Sequence, residues 1–319
     1  MFESTNAMRL IHPLSLIALT LFASCGKNNS ETAPSSTAPP VTCIVSFAPS
    51  ITEILYELGL GDKVCGVTRF CKYPPEAAQK EKIGGQVDRN YEAIVRLKPD
   101  LAIILKEQRD VIGFLDKYSI RCITVGSGSV EEILESIQAV ADACSVSDRG
   151  KIIVENLRER IGVVKAVNNN GKIINAVETI VVDNAVNGDR PKVLLCVSRD
   201  GVGTGAIGES FVAGAASFYD RLIDAAGGVN AMNGVKQAYP AITAEAVIRL
   251  APDVIIDLSV SHTGNPRQSQ QICGDWAALK SVPAVKTGMV RCLSGDYLTI
   301  PGPRIGLILE DFKNVLRQR

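Results

Sequence analysis

One thirteen-residue stretch of this chain occurs twice. Glu92 to Ile104 read E-A-I-V-R-L-K-P-D-L-A-I-I and Glu245 to Asp257 read E-A-V-I-R-L-A-P-D-V-I-I-D, with seven positions identical at an offset of 153 residues in a chain of 319. Solenoid repeats recur every ~20 to 50 residues, so an offset this long points to two similar lobes rather than an array. Each copy carries apolar residues at helical spacing, then Pro-Asp, then an apolar run of strand length. The repeated unit is therefore a helix, a turn and a strand, and each lobe is predicted to be an α/β layer.

The flanking sequence extends this pattern. Val41 to Phe47 and Val64 to Phe70 read as strands, with a helix from Ile51 to Leu58 between them that Gly59 and Gly61 close. A helix over Val111 to Tyr118, a strand over Cys122 to Val125 and a helix over Val130 to Ala143 follow the first copy. Strands alternating with helices imply parallel pairing with right-handed crossovers. Asp148 to Val167 has few breakers and is expected to form one long helix of ~30 Å joining the lobes. Asn168 to Asp189 could be strand or helix. The second lobe opens with a strand at Val193 to Val197 and continues with a helix at Phe218 to Ala226 and the second copy. It ends with Val290 to Leu293, the loop Ser294 to Pro303 and a helix from Arg304 to Leu316. The expected division is 1–25 signal, 26–41 tether, 42–147 N-terminal lobe, 148–190 linker helix and insert, and 191–319 C-terminal lobe.

The N-terminus predicts export. Leu10 to Ala23 is an apolar segment behind Arg9, too short to span a bilayer, and it ends in Phe22-Ala23-Ser24-Cys25. Small residues before a cysteine mark a lipoprotein signal, so Cys25 is the expected lipidation site. A plain secretory signal or an N-terminal anchor would export the chain equally. The Ser, Thr, Asn, Ala and Pro that follow cannot bury a core and read as a flexible tether. The expected location is the periplasm or cell surface, with a lipid anchor holding the protein to the membrane.

Charge and residue content exclude several functions. With 34 basic and 34 acidic residues and no Lys/Arg-rich run, the chain lacks the electrostatic footprint of a nucleic-acid binder. Its two histidines are His12, in the signal, and His262, in a polar loop, so no histidine-rich metal site can be built. Neither a protein-bound metal nor a cofactor is expected. Eight cysteines remain beside Cys25, which permits disulfides outside the cytoplasm; a buried free thiol acting as a small hydrophobe fits strands such as V-L-L-C-V around Cys196 as well.

Gly203-Thr204-Gly205-Ala206-Ile207-Gly208 matches G-x-G-x-x-G behind a strand, a pattern that can hold a pyrophosphate on backbone amides. Five residues separate it from the strand, no helix start follows, and no acidic residue closes a second strand some twenty residues on. It reads as a flexible loop at a strand's C-terminal edge, with an exported dinucleotide-binding oxidoreductase as the alternative. Glu92 and Glu245 follow Asn90 and Thr243, natural N-caps, so each glutamate falls in a first helical turn, where the dipole favours it without any further role. As matched carboxylates, one per lobe, they could also seat arginines of a two-fold partner.

Taken together, these features resemble the helical-backbone substrate-binding lipoproteins of ABC importers for cobalamin, ferric siderophores and haem. The carrying motifs are Ile44-Val45-Ser46-Phe47-Ala48-Pro49-Ser50-Ile51-Thr52-Glu53, Gly66-Val67-Thr68-Arg69-Phe70, Tyr73-Pro74-Pro75-Glu76-Ala77, both repeat copies, Ala225-Ala226-Gly227-Gly228-Val229-Asn230 and Pro301-Gly302-Pro303-Arg304. The resemblance implies two α/β lobes with mainly parallel sheets joined by one long helix, a ligand cleft between them, and capture rather than catalysis. It implies that Glu92 and Glu245 dock an ABC permease dimer and that the protein works as a monomer. The cleft lining it implies is Phe70, Gln86, Phe211, Tyr239, Asp296 and Tyr297, with Arg69 nearby. The cobalamin-binding proteins are the most similar branch, but Gln86 and Leu105 stand where that pattern has stacking aromatics, and Ile300 replaces an arginine. A corrinoid, haem held by a tyrosine such as Tyr239, and a ferric siderophore all fit as ligands. A ligand sensor without a permease would share every one of these features.

Overall fold

The computed structural model describes residues 40–167, 173–177, 190–259 and 271–318. The signal with Cys25, the tether, most of the 168–189 insert and His262 lie outside the described residues. Residues from Pro40 onward form one compact unit.

The N-terminal sheet contains β1 (Ile44–Ser46), β2 (Val64–Val67), β3 (Glu81–Lys82), β4 (Leu101–Leu105) and β5 (Cys122–Val125) in the order β3-β2-β1-β4-β5, parallel throughout. Helices α1 (Pro49–Glu57), α2 (Tyr91–Leu97), α3 (Ile112–Lys117) and α4 (Val130–Ala143) supply crossovers. A disulfide between Cys43 and Cys65 joins the start of β1 to β2.

After α5 (Ser147–Ile161) and a hairpin of β6 (Val163–Val167) and β7 (Ile173–Val177), the second sheet is built from β8 (Lys192–Arg199), β9 (Ser210–Val212), β10 (Val229–Asn230), β11 (Ala241–Ile242), β12 (Val254–Asp257) and β13 (Val290–Cys292). Its order is β11-β9-β8-β12-β13, with β10 also on β8; β12, β13 and β10 run parallel to their neighbours and β9 and β11 antiparallel. Its helices are α6 (Phe218–Ala225), α7 (Ala244–Leu250), α8 (Pro283–Lys286) and the terminal α9 (Ile305–Arg317). The result is two similar α/β lobes with mainly parallel sheets joined by a helix.

The repeat copies occupy equivalent places. β4 lies between β1 and β5, and β12 between β8 and β13. In both, the helix ends on a non-glycine residue in the left-handed region, Lys98 at φ 48° and Ala251 at φ 48°, because the proline that follows cannot continue a helix. The aspartate of each Pro-Asp then ties down the start of the neighbouring strand. Asp100 accepts bonds from the Thr42 and Cys43 amides at 2.7 and 2.9 Å, and Asp253 accepts one from the Lys192 amide at 2.8 Å.

The joining helix is shorter than expected. It runs fifteen residues, ~22 Å by the standard rise, and stops at Gly162, which takes φ 71°; the Val/Ile-rich residues beyond it pair as β6 and β7. Val154, Leu157 and Ile161 on its apolar face enter one cluster that includes Ile51, Leu55 and Ile137 of the first lobe and Phe218, Ile308 and Phe312 of the second. A shared core of this kind couples the lobes more tightly than a strand hinge would, because relative motion must shear packed side chains.

Candidate ligand-binding site

The residues expected to line the cleft fall into three groups. The first is built by the turn after β2 and the loop after β3. The Arg69 amide donates to the Gly84 carbonyl at 2.9 Å, and Gly84 bridges to Arg89, so the two loops share one backbone frame. Gly84 takes φ +92°, and a Cβ there would stand 2.3 Å from the Asp88 carbonyl, so only glycine closes this turn. The Phe70 ring edge lies 3.3 Å from where a Cβ of Gly85 would be, and Phe70 is 56% exposed, a large apolar ring held against backbone and facing solvent. Gln86 is exposed beside it. Arg69 is ion-paired with Asp88 at the surface.

The second group stands on the antiparallel extension of the other sheet. Phe211 on β9 pairs in register with Ala241 of β11, and Tyr239 lies two residues before Ala241. Phe211 is 40% and Tyr239 43% exposed. The Tyr239 ring stands edge-on to Tyr219 at 6.4 Å, and burial pushes its pKa up to about 12, so the phenol keeps its proton at neutral pH. Tyr219 is fixed in turn, its hydroxyl donating to the Leu298 carbonyl at 2.5 Å.

Asp296 and Tyr297 form the third group, and both are engaged within the protein. The Arg304 guanidinium binds the Asp296 carboxylate at 3.0 and 3.3 Å, and the Tyr297 hydroxyl donates to Asp311 at 2.6 Å. Arg304 also holds Glu53 of α1 at 2.5 and 2.9 Å and lies 3.9 Å over the Tyr73 ring, so this cluster joins the lobes. The motifs containing Glu53, Tyr73 and Arg304 stand out in the sequence, yet neither composition nor spacing assigns them this joint role. Leu105 is half-buried and packs against the main core rather than on the rim.

A cavity of about 500 Å³ opens on the joining-helix side of Arg304, bounded by Tyr73, Leu157, Arg160, Pro303 and Leu307 among others; none of the expected ligand residues lines it.

The glycine-rich loop is occupied from within. Gly203 and Gly205, at φ 80° and 79°, direct their amides onto the Asp275 carboxylate at 2.7 and 2.6 Å. Asp275 is also held by Arg199 at 2.8 Å, and Arg199 binds Asp257 at 3.0 Å, all three side chains being buried. Trp276 donates to Asp257 at 2.7 Å. The loop's amides thus already serve an internal anion, which leaves no place for a pyrophosphate on them and removes the basis of the dinucleotide reading. The loop is pinned at its base by Asp275, contrary to the expectation of a flexible turn. Local sequence gives no signal for this, because Asp275 is some seventy residues away.

Glu92 and Glu245 are both exposed in the first turns of α2 and α7. The capping expectation holds at Asn90, which accepts from the Ala93 amide at 2.9 Å, but not at Thr243, whose side chain caps nothing. Thr243 and the residue's own amide instead hold the Glu245 carboxyl below the usual range.

Two lobes with a common core, and solvent-facing aromatics on an antiparallel strand and on loops beside the sheets, define a binding protein of the two-lobed class. The chain belongs to the periplasmic binding protein family, whose pattern matches residues 44–297. It is 25% identical to the vitamin B12-binding protein of Vibrio parahaemolyticus over 287 residues, 88% of this chain and 92% of that one. It is 28% identical to the uncharacterised ABC transporter substrate-binding lipoprotein YvrC of Bacillus subtilis, covering 82% of this chain and 76% of that one. Among solved structures, the periplasmic vitamin B12 binding protein BtuF of Vibrio cholerae superimposes with a TM-score of 0.66 at 22% identity, covering 88% of this chain and 98% of that one. The periplasmic haem-binding protein RhuT of Roseiflexus sp. RS-1 gives 0.66 at 24%, covering 87% and 98%. At these identities the structural likenesses establish the fold. Among the described residues, no helix is long and apolar enough to cross a membrane.

Proposed function

We propose that this chain is the extracytoplasmic substrate-binding component of an ABC importer and that it captures a corrinoid between its lobes. The observation that carries this reading is the exposed aromatic rim, Phe70 on one lobe and Phe211 and Tyr239 on the other. Exposed rings on rigid backbone offer flat apolar area to a macrocycle. The relatives named for vitamin B12 support the corrinoid class. Gln86 and Ile300 replace ring and guanidinium contacts with an amide and an aliphatic chain, so the corrinoid bound here is recognised with different polar contacts at its periphery.

Within this reading, residues 42–147 and 191–319 are the two lobes, Cys25 carries the lipid, the tether lets the monomeric domain reach its permease, and Glu92 and Glu245 each seat a permease arginine. The test is titration of the purified protein with cobalamin, haemin and ferric siderophores, read by calorimetry and ligand absorbance. Trp276 is buried beside Asp257 and makes a poor fluorescent reporter. Micromolar or tighter binding of cobalamin is expected; preference for haemin or a siderophore overturns the corrinoid assignment, and binding of none overturns the class.

A further inference from the structure

Two of the cysteines outside the Cys43–Cys65 bridge are brought together by the network beneath the glycine loop. Cys273 lies in the helical turn before Asp275. That turn is pinned by Arg199, which donates to the Ile272 carbonyl and to Asp275, each at 2.8 Å. Cys292 is on β13, paired with Asp257 in parallel register, and Asp257 is the other carboxylate that Arg199 holds. Both cysteines are thus anchored to one buried cluster from opposite sides. The Cys273 thiol reaches the Val290 carbonyl at 4.0 Å, two residues before Cys292 on the same strand, and the Cys292 thiol lies close enough to shift the Cys273 pKa. Both are half-buried, whereas Cys71, Cys144 and Cys196 are buried. The strand concerned is an edge among the described residues, where β13 pairs with β12 alone.

We propose that Cys273 and Cys292 form a second disulfide, which fastens the turn bearing Asp275 to the edge strand of the C-terminal lobe. The pair is poised for the exchange. The neighbouring Cys292 holds the Cys273 thiol below its ordinary range and is itself pushed up, so Cys273 is the attacking thiolate. It attacks a sulfur of an external disulfide of the thiol-oxidoreductase class, forming a mixed disulfide and expelling one thiolate. Cys292 then loses its proton and attacks the Cys273 Sγ, expelling the second thiolate. The protein gives up two electrons and two protons, and the oxidant leaves as a dithiol. The crosslink closes a loop of about twenty residues and restrains the unfolded chain accordingly. It also holds the carboxylate that fills the glycine loop.

The experiment is peptide mapping of the full chain produced with its export signal in an oxidising compartment. The protein is alkylated in denaturant without reductant, then reduced and alkylated with a second label. Expected are first-label marking of Cys71, Cys122, Cys144 and Cys196, second-label marking of Cys43, Cys65, Cys273 and Cys292, and a linked peptide spanning 273 and 292 before reduction. In Cys273→Ser, Cys292 should move to the first label while Cys43 and Cys65 stay protected. First-label marking of both Cys273 and Cys292 in the wild-type protein, or linkage of either to another cysteine, overturns the proposal.

Discussion

Arg304, on the last turn before α9, grips Glu53 of α1 with two bonds, Nη2 to Oε1 at 2.5 Å and Nε to Oε2 at 2.9 Å, across 251 residues of sequence. The Glu53 side chain is 2% exposed and that of Arg304 13%. Tyr73 and Tyr297 lie on the guanidinium at 3.9 and 5.6 Å, so the charge that bridges the lobes is flanked by aromatic rings as well as carboxylates. Glu53→Ala should lower unfolding free energy by about 2 to 3 kcal/mol, somewhat less than the ~3 to 5 typical when a buried charge loses its partner, because Asp296 still holds Arg304. Denaturant unfolding measures it, and an unchanged midpoint would show that the contact is not maintained in solution.

Acid should act on this protein in two opposite senses. Burial raises the Glu53 pKa above its ordinary 4.5, although the Arg304 bonds pull it down. The folded state therefore binds that proton more tightly than the unfolded chain, and the Glu53 contribution grows as pH falls through its folded value and levels off below 4.5. Asp275 behaves conversely: burial pulls its pKa up, but Arg199 and the two glycine amides more than offset this and leave it below 3.8. Asp100, held by Thr42 and Cys43, is likewise lowered from 3.8. Their contributions are full above 3.8 and are lost as pH falls through their folded values. Between pH 7 and 4.5, then, the stability of wild type relative to Glu53→Gln should increase on acidification. A flat difference in urea midpoints over that range would contradict the assignment.

Asp275→Ala removes the anion from the glycine loop and one of the two carboxylates on Arg199. A loss of about 3 kcal/mol is expected, as for other broken buried pairs, together with fast hydrogen exchange at the Gly203 and Gly205 amides. Stability loss without faster exchange there would mean that the loop is held by something else.

Phe70→Ala and Phe211→Ala should each weaken ligand binding about tenfold, since removal of an aromatic face is worth roughly 1 kcal/mol beyond area and 1.4 kcal/mol is tenfold. Thermal midpoints should barely move, because both rings face solvent. A large fall in stability with unchanged affinity would place them in the core instead of the rim.

Reversing charge at both Glu92 and Glu245 should abolish ligand uptake by cells while leaving affinity in solution unchanged. Normal uptake by the double variant would remove these residues from permease docking.

The repeated motif made much of the architecture legible. Because Glu92 to Ile104 and Glu245 to Asp257 carry the same periodicities and the same Pro-Asp stop, their helices and strands form where expected, in matched positions of two sheets. The joining helix is legible in part: its apolar spacing locates it, but a single Gly162 does not by itself mark a stop, and the Val/Ile run beyond it serves a hairpin equally well. Motif position picks out Phe70, Phe211 and Tyr239, and the fold leaves all three exposed. Asp296 and Tyr297 lie in the loop before α9, but their partners, Arg304 and Asp311, are fixed by packing that no window of sequence shows.

What the chain determines locally is whatever depends on neighbours within a turn or two: helix stops at Lys98 and Ala251 and strand runs at Leu101–Leu105 and Val254–Asp257. Tertiary structure alone decided how charge is satisfied. Glu53 meets Arg304, Asp275 meets Gly203 and Gly205, and Cys273 meets Cys292, because a buried charge or thiol takes its partner from whichever element the fold brings beside it. Even the repeated motif gains its meaning there, since Asp100 and Asp253 bind strand starts some sixty residues upstream.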